Sequence, residues 1–226
     1  MIQVKTHRLN PEASRMFVRA QARVPEHGIL IGPIPLTEDN MNQPDNGSLS
    51  GKRIAVLMTD GVEQVEYEQP RQFLEQHGAQ VTLISPKAKG EQVQGFEHLT
   101  ASRQFAVELD VKDAKAGDYD GLVLPGGVAN PDALRLSEPS IGFIRDFGAT
   151  GKPIASICHG PWTLIDAGLV DGRKMTSWPS LKGDLHNAGA SWEDSEVVVD
   201  RNLITSRKPD DIPAFNKAFQ QQLLTA

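Results

Sequence analysis

The apolar residues of this chain fall into short runs, separated by polar segments. Arg53 to Met58 (RIAVLM) is continuously apolar after its first residue, which is typical of a parallel strand with both faces covered. Val81 to Ile84, Leu122 to Leu124 and Pro153 to Ile157 are similar runs. The four runs predict the buried strands of a central sheet.

Polar segments with helical periodicity lie between these runs. The first, VEQVEYEQPRQFLEQHG, follows the Asp60-Gly61 turn and ends at Gly78, a residue type favoured just after a helix. Other helices are expected from about Glu138 to Thr150, after His159, and from Pro213 to Leu224. The alternation predicts an α/β fold, a flavodoxin-like doubly wound, mostly parallel sheet sandwiched by helices.

Two hairpins complete the predicted elements. Residues 90 to 108 are polar with β-branched and aromatic positions, a pattern that favours a hairpin. Glu196 to Val199 and Leu203 to Ser206 flank Asp200-Arg201-Asn202, a second hairpin signature.

The first fifty residues differ in composition from the rest. They hold five prolines and end in the polar run NMNQPDNGSLSGK, which predicts an N-terminal extension and linker over residues 1–51. A short helix between Pro11 and Ala22 is compatible with the pattern, and the apolar cluster Ile29 to Leu36 could dock on a neighbouring surface. Residues 52–226 form the predicted α/β domain.

Composition excludes several classes of protein. The 226 residues carry 23 Lys and Arg against 29 Asp and Glu, a net charge of -6, which disfavours nucleic-acid binding. No apolar run approaches the roughly twenty residues of a membrane-spanning helix. The only cysteine is Cys158, so an internal disulfide is impossible and a cytoplasmic location is expected. Histidines and carboxylates do not cluster at ligand spacing, so we expect no metal and no cofactor.

Cys158 ends an apolar run and is followed by His159, Gly160 and Pro161. A strand that turns sharply into a helix holds its turn residue in a strained conformation with the side chain outward, and Gly160 leaves room for such a nucleophile elbow. The positive end of the following helix should lower the pKa of the thiol. A lone cysteine is more often a small buried hydrophobe, but the His-Gly-Pro sequence after it favours a nucleophile.

Two further segments end at the same predicted sheet edge. Glu63 and Glu66 lie three apart, on one helix face, where they could complement the helix dipole or place a carboxyl beside the thiol. Gly126 and Gly127 in LPGG let backbone N–H groups approach a ligand, or simply make a tight turn. The other histidines considered, which are expected on the surface, are His77, His98 and His186.

Together these segments resemble the PfpI intracellular-protease-like family, in the superfamily of the parkinsonism-associated deglycase and the class I glutamine amidotransferase-like domains. The resemblance covers about residues 52 to 224. It rests on DGVEQVEYEQP (60–70), LVLPGGVANPDALR (122–135), GKPIASICHGPWTLIDAG (151–168), GRKMTSWP (172–179) and VVVDRNLITSRKPDDIPAF (197–215).

The resemblance implies a role for each matching residue. Cys158 would be the nucleophile and His159 its partner base, although adjacent elbow residues point in different directions and should not match a Ser-His-Asp geometry. Asp132, where several relatives have Glu, would orient the histidine, often from a neighbouring subunit. Glu66, with Glu63 close by, would contact the thiol. The oxyanion donors would be backbone N–H groups of Gly127 and His159, beside Gly126.

These roles indicate a stress-response cysteine hydrolase or lyase that acts on reactive carbonyls, on their adducts with proteins (deglycase or glyoxalase III type), or on peptides. The amidotransferases' C-terminal His-Pro-Glu is replaced by Ser206 to Asp211, so glutamine hydrolysis is disfavoured. The expected partners are such a substrate and further copies of the chain, as a homodimer or higher oligomer. The alternatives are a redox sensor or holdase chaperone that uses the same cysteine, and a binding module with an inert one.

Overall fold

The four apolar runs form the middle of a seven-stranded sheet in the computed structural model, which describes residues 47–226. The strands are β1 (Arg53–Leu57), β2 (Val62–Glu63), β3 (Gln80–Ser85), β4 (Gln92–Glu97), β5 (Thr100–Ala106), β6 (Leu109–Asp110), β7 (Gly121–Leu124), β8 (Ile154–Ile157), β9 (Lys174–Met175), β10 (Ser191–Trp192), β11 (Val197–Asp200) and β12 (Leu203–Ser206). The central sheet has the order β11-β12-β8-β7-β1-β3-β6. All its neighbouring strands are parallel except β11 and β12, which form the predicted hairpin.

Helices cover both faces of this sheet. They are α1 (Gln64–Gln76), α2 (Ala129–Arg135), α3 (Glu138–Ala149), α4 (Pro161–Asp166), α5 (Lys182–Asn187) and α6 (Ile212–Thr225). Side chains alternate across the sheet, so Ile54 and Val56 of β1 pack in one buried cluster, with residues of α1 and α6. Ala55 and Leu57 pack in the other, with residues of α3 and α4. The predicted doubly wound architecture is confirmed.

The first helix begins two residues later than its sequence pattern predicts. Val62 and Glu63 form β2 and pair in parallel with Gly95 and Phe96 of β4. Strands β4 and β5 form the hairpin predicted over residues 90 to 108, so β2, β4 and β5 make a separate three-stranded sheet. Because this pairing joins residues over thirty positions apart, the local pattern around Glu63 did not reveal it.

Some predicted features lie outside the described residues. These are the helix between Pro11 and Ala22, the apolar cluster Ile29 to Leu36, and most of the extension over residues 1–51. Among the helices of residues 47–226, none has the length and apolar character needed to cross a membrane.

Packing of α6 on the sheet gives a stability prediction. Phe219 is 1% exposed and lies in the cluster shared with α1. Phe219→Ala should lower the free energy of unfolding by about 3–5 kcal/mol, because it removes buried contacts and leaves a cavity. Leu224→Ala, on the same helix but 45% exposed, should change it by less than about 0.5 kcal/mol. Urea denaturation of the two variants tests this; equal losses would contradict it.

Candidate active site

Cys158 occupies a strained turn between β8 and α4. Its φ is 60°, a left-handed conformation that is unusual for a residue with a side chain. The turn is held by its backbone, since the N–H of Cys158 donates to the carbonyl of Ser206 (3.1 Å) and its carbonyl accepts from the N–H of Trp178 (2.8 Å). A Cβ on Gly160 would lie 2.6 Å from Ser156 Oγ and closer still to the carbonyl oxygen of Leu124. The geometry is that of the predicted elbow.

The side chain of Cys158 is more buried than the elbow pattern predicts. It is 6% exposed and packs in the apolar cluster on the α1 and α6 side of the sheet. It nevertheless lines a cavity of about 170 Å³ at the carboxyl ends of the strands. The other residues around this cavity are Glu63, Glu66, His98, Leu99, Gly127, Val128, His159, Trp178 and Pro209. The sulfur therefore meets a confined space instead of open solvent.

Glu66 is fully buried beside this sulfur, in the first turn of α1. Its Oε2 accepts a hydrogen bond from the N–H of Gly126 (2.8 Å), while Oε1 has no conventional partner among the described residues. Burial raises the pKa of Glu66 to about 8, against the lowering effect of hydrogen bonds from Gly126 and Cys158. Glu66 therefore carries a proton at neutral pH, and this carboxylic acid contacts the thiol.

The pKa of Cys158 is raised, which corrects the lowering expected from a helix N-terminus. Burial is the main cause, followed by the charge that Glu66 has when it is ionised. The N–H groups of Gly127 and His159 oppose the rise. Helix α4 has only six residues, so its dipole is short and does not outweigh burial. Because the thiol and carboxyl are coupled, the first proton lost belongs to the pair.

His159 lies directly against the sulfur, which corrects the expectation that adjacent elbow residues point apart. Its Nδ1 is 3.2 Å from Cys158 Sγ. The ring stacks on Trp178 (24° between planes) and meets Trp162 edge-on, so two aromatic side chains fix its orientation. Burial lowers the pKa of His159, which keeps the ring neutral at neutral pH and able to accept a proton.

The two glycines of LPGG have different roles. A Cβ on Gly126 would lie 2.7 Å from Cys158 Cβ and 2.8 Å from the backbone nitrogen of His159, so only glycine fits there. Its N–H already donates to Glu66, so it is not free to approach a ligand or to act as an oxyanion donor, contrary to what the LPGG pattern suggested. Gly127 has φ of 75°, and its N–H is directed at Cys158 together with that of His159. These two groups remain the candidate oxyanion donors.

Glu63 and Asp132 do not reach the sulfur within one chain. Glu63 is in extended conformation at the start of α1, not on the same helix face as Glu66. Its Oε2 accepts a hydrogen bond from the backbone N–H of His98 (3.1 Å) at the cavity rim. Asp132 is exposed on α2 and lies outside the cavity lining; its expected contact in a neighbouring subunit stays a prediction.

His98 and Trp178 are among the cavity residues for which the sequence analysis predicted no role. His98 was expected to be a surface residue without a role, and it is exposed, but it also lines the cavity from the tip of the β4–β5 hairpin. Trp178 belongs to the GRKMTSWP motif, and no role was predicted for it. Nothing in the local pattern indicates that either approaches Cys158. Within residues 47–226, no group of three or more His, Cys, Asp or Glu could hold a metal ion.

The elbow gives a second prediction. Gly160→Ala should lower the free energy of unfolding by about 1–3 kcal/mol, because the added methyl group forces a shift of the turn. It should also change the rate at which iodoacetamide alkylates Cys158. Gly142→Ala in α3, where a Cβ meets nothing within 4 Å, should instead stabilise the helix by about 0.5–1 kcal/mol and leave alkylation unchanged. A stable Gly160→Ala protein with normal alkylation would contradict this account of the turn.

The buried carboxyl gives a third prediction, on the pH dependence of stability. The pKa of Glu66 is about 8 in the folded chain against 4.5 for a free carboxyl, so between these values the unfolded chain loses a proton that the folded chain keeps. Glu66 therefore lowers the free energy of unfolding as pH rises, by about 1.4 kcal/mol per pH unit within that window. Below pH 4.5 and above pH 8 its contribution is constant.

Glu66→Gln should remove this slope. Urea denaturation between pH 5 and pH 8 should show the variant gaining stability relative to the parent as pH rises. Glu193→Gln is the control for loss of an exposed carboxyl. Parallel curves for the parent and Glu66→Gln would show that Glu66 ionises normally.

Comparisons with known proteins agree with this geometry. The model of the DJ-1/PfpI family matches residues 52–222. General stress protein 18 of Bacillus subtilis is 42% identical over 168 residues, covering 74% of this chain and 95% of that protein. Protein/nucleic acid deglycase 2 of Escherichia coli is 41% identical over 167 residues, covering 74% of this chain and 94% of that protein.

Solved structures give the same result. The crystal structure of Drosophila melanogaster DJ-1beta matches with a TM-score of 0.68 and 31% sequence identity, covering 76% of this chain and 90% of that one. The match of fold, sequence and family model is consistent with the resemblance carried by the five motifs. The chain belongs to the DJ-1/PfpI family.

Proposed function

We propose that this chain is a cysteine-dependent hydrolase or lyase that acts on reactive carbonyl compounds or on their adducts with proteins. The observation that carries the proposal is the position of Cys158 Sγ, between a buried carboxylic acid and an imidazole nitrogen 3.2 Å away. Relatives named as deglycases support the same reaction class, and one named as a general stress protein supports a role in stress.

Activation of the thiol uses His159. Because burial keeps this imidazole neutral, its Nδ1 can accept the proton of Cys158. Glu66 retains its own proton and donates a hydrogen bond to the thiolate, which offsets part of the cost of a charged sulfur in a buried site. The N–H groups of Gly127 and His159 add two more donors.

The thiolate then attacks an electrophilic carbon. With an aldehyde the first product is the alkoxide of a hemithioacetal, because the carbonyl electron pair has moved to oxygen, and a proton then completes the hemithioacetal. As the sulfur loses its charge, the N–H groups of Gly127 and His159 become available to this oxygen. In this proposal, the same two N–H groups stabilise the negative charge first on sulfur and then on oxygen.

The cavity size supports a small reacting group. About 170 Å³ corresponds to roughly five or six water-sized volumes, enough for a three-carbon dicarbonyl such as methylglyoxal. A larger groove of about 720 Å³ shares Glu63, His98, Trp178 and Pro209 with the cavity. It could hold the remainder of a modified side chain or a peptide.

Other parts of the proposal concern the whole chain. Residues 52–226 would form the catalytic domain and residues 1–51 an extension to it. In a homodimer or higher oligomer, the exposed Asp132 could approach the His159 ring of a neighbouring subunit. We also propose a cytoplasmic location, because the single cysteine would act as a reduced thiol.

The redox-sensor alternative receives less support. A sensor cysteine needs an accessible thiolate for peroxide. Cys158 is 6% exposed and the pKa of its thiol is raised, so its thiolate is both rare and shielded at neutral pH. Turnover is therefore the primary property to measure.

The test is methylglyoxal turnover by the full chain and by Cys158→Ala, which should lose it because the attacking atom is gone. Exposed His186, on α5 outside the cavity, provides the control variant His186→Gln, which should retain the parent rate. Circular dichroism checks that each variant is folded. Equal turnover by the parent and Cys158→Ala would overturn the proposed function.

A further inference from the structure

The β4–β5 hairpin brings a second histidine to the cavity that contains Cys158. His98 lies at the hairpin tip with φ of 55°, one of three residues other than glycine with positive φ in the described chain. It lines both the cavity and the wider groove, and it is exposed. It is therefore at the mouth, where a bound substrate would meet solvent.

The position of His98 is fixed by the segment that also delivers Glu66. Its backbone N–H donates to Glu63 Oε2 (3.1 Å), and Glu63 itself pairs with Phe96 through the β2–β4 ladder. Within β4, the N–H of Gln94 donates to Asp60 Oδ1 (2.7 Å), while Lys87 donates to both oxygens of Asp60. The hairpin is thus attached to the rest of the domain both at its tip and along β4.

The two cavity histidines have different surroundings. His159 is buried, contacts the sulfur and is enclosed by Trp162 and Trp178. It can exchange a proton with the thiol, but it is only 7% exposed. His98 has the opposite properties, since it lines the same cavity and is exposed at its entrance.

We propose that His98 is a second proton-transfer residue of this site. It would give a proton to the substrate oxygen from the side of the cavity mouth. The inference rests on the proposed function, because it assigns one step of that reaction. It also gives Glu63 a role as the positioning residue that holds the backbone of His98, in place of direct contact with the thiol.

The proton balance of the addition step explains why two groups are useful. When Sγ bonds to an aldehyde carbon, the C=O π bond breaks and its electron pair moves to oxygen. The thiol proton goes to His159 Nδ1, and protonated His98 gives a proton to the oxygen. Water then removes the proton from His159 and restores that of His98, so no other co-reactant is needed.

Several ionisable groups face His98 and bear on any pH measurement. Those lining the cavity or the groove are Glu63, Glu66, Glu68, Glu97, Cys158, His159, Lys208 and Asp210. Glu97→Gln, next to His98 in the chain, is therefore the control for a general change in the charge of the entrance.

The main test compares His98→Asn with the parent and with His186→Gln, using methylglyoxal. Asparagine tolerates positive φ and cannot carry the proton, so kcat should fall by about 10²–10⁴-fold. The pH profile of kcat/KM should lose one ionisation, which Glu97→Gln retains. Alkylation of Cys158 by iodoacetamide should not change, because the thiol and its neighbours remain.

Chemical rescue separates proton transfer from a structural role. His98→Gly fits the backbone conformation and leaves space at the entrance, so added imidazole should restore turnover to this variant and not to Cys158→Ala. If Cys158→Ala is inactive while His98→Asn keeps its rate and every ionisation, or if imidazole fails to rescue His98→Gly, the role of His98 is overturned and the proposed function stands. Full turnover by Cys158→Ala would instead overturn both.

Discussion

The site depends on one buried carboxylic acid. Glu66 is fully buried, and Gly126 provides its one backbone hydrogen bond, an arrangement that would be costly for a charged carboxylate. A protonated Glu66 avoids most of that cost, and it can donate a hydrogen bond to the sulfur. Three distant segments meet there, namely α1, the LPGG turn and the elbow. A Cβ at position 126 would collide with both Glu66 and Cys158, so glycine at this position allows the three segments to approach.

Burial around this acid divides the cavity into two environments. On the sulfur side, burial raises the pKa of the thiol and lowers that of His159, so the resting groups are neutral and a proton can move between them over 3.2 Å. On the entrance side, exposed His98, Leu99 and Val128 meet solvent. The proposed reaction creates a negative charge first on sulfur and then on oxygen. Attack by the thiolate would take place on the buried side, and proton exchange with water on the exposed side.

The parts of this site that could be predicted from sequence are those with local causes. The elbow needs Cys158, Gly160 and Pro161 in order, and the strained φ of 60° follows from that short segment. The separation of Glu63 from Glu66 could not be predicted, because it results from pairing of β2 with β4. The pKa of the thiol was predicted in the wrong direction for a similar reason, since its burial depends on α1 and α6, which are remote in sequence.

Trp178 shows how strain and chemistry are connected. A left-handed residue with a side chain costs roughly 1–2 kcal/mol, so Cys158 needs partners that hold the turn. The N–H of Trp178 supplies one of them, at 2.8 Å from the carbonyl of Cys158, while its ring stacks on His159. Trp178 thus stabilises both the turn that positions the sulfur of Cys158 and the ring of His159 that accepts the thiol proton. Because both contacts come from a loop far along the chain, the reactive pair is assembled only when the loop after β9 packs on the elbow.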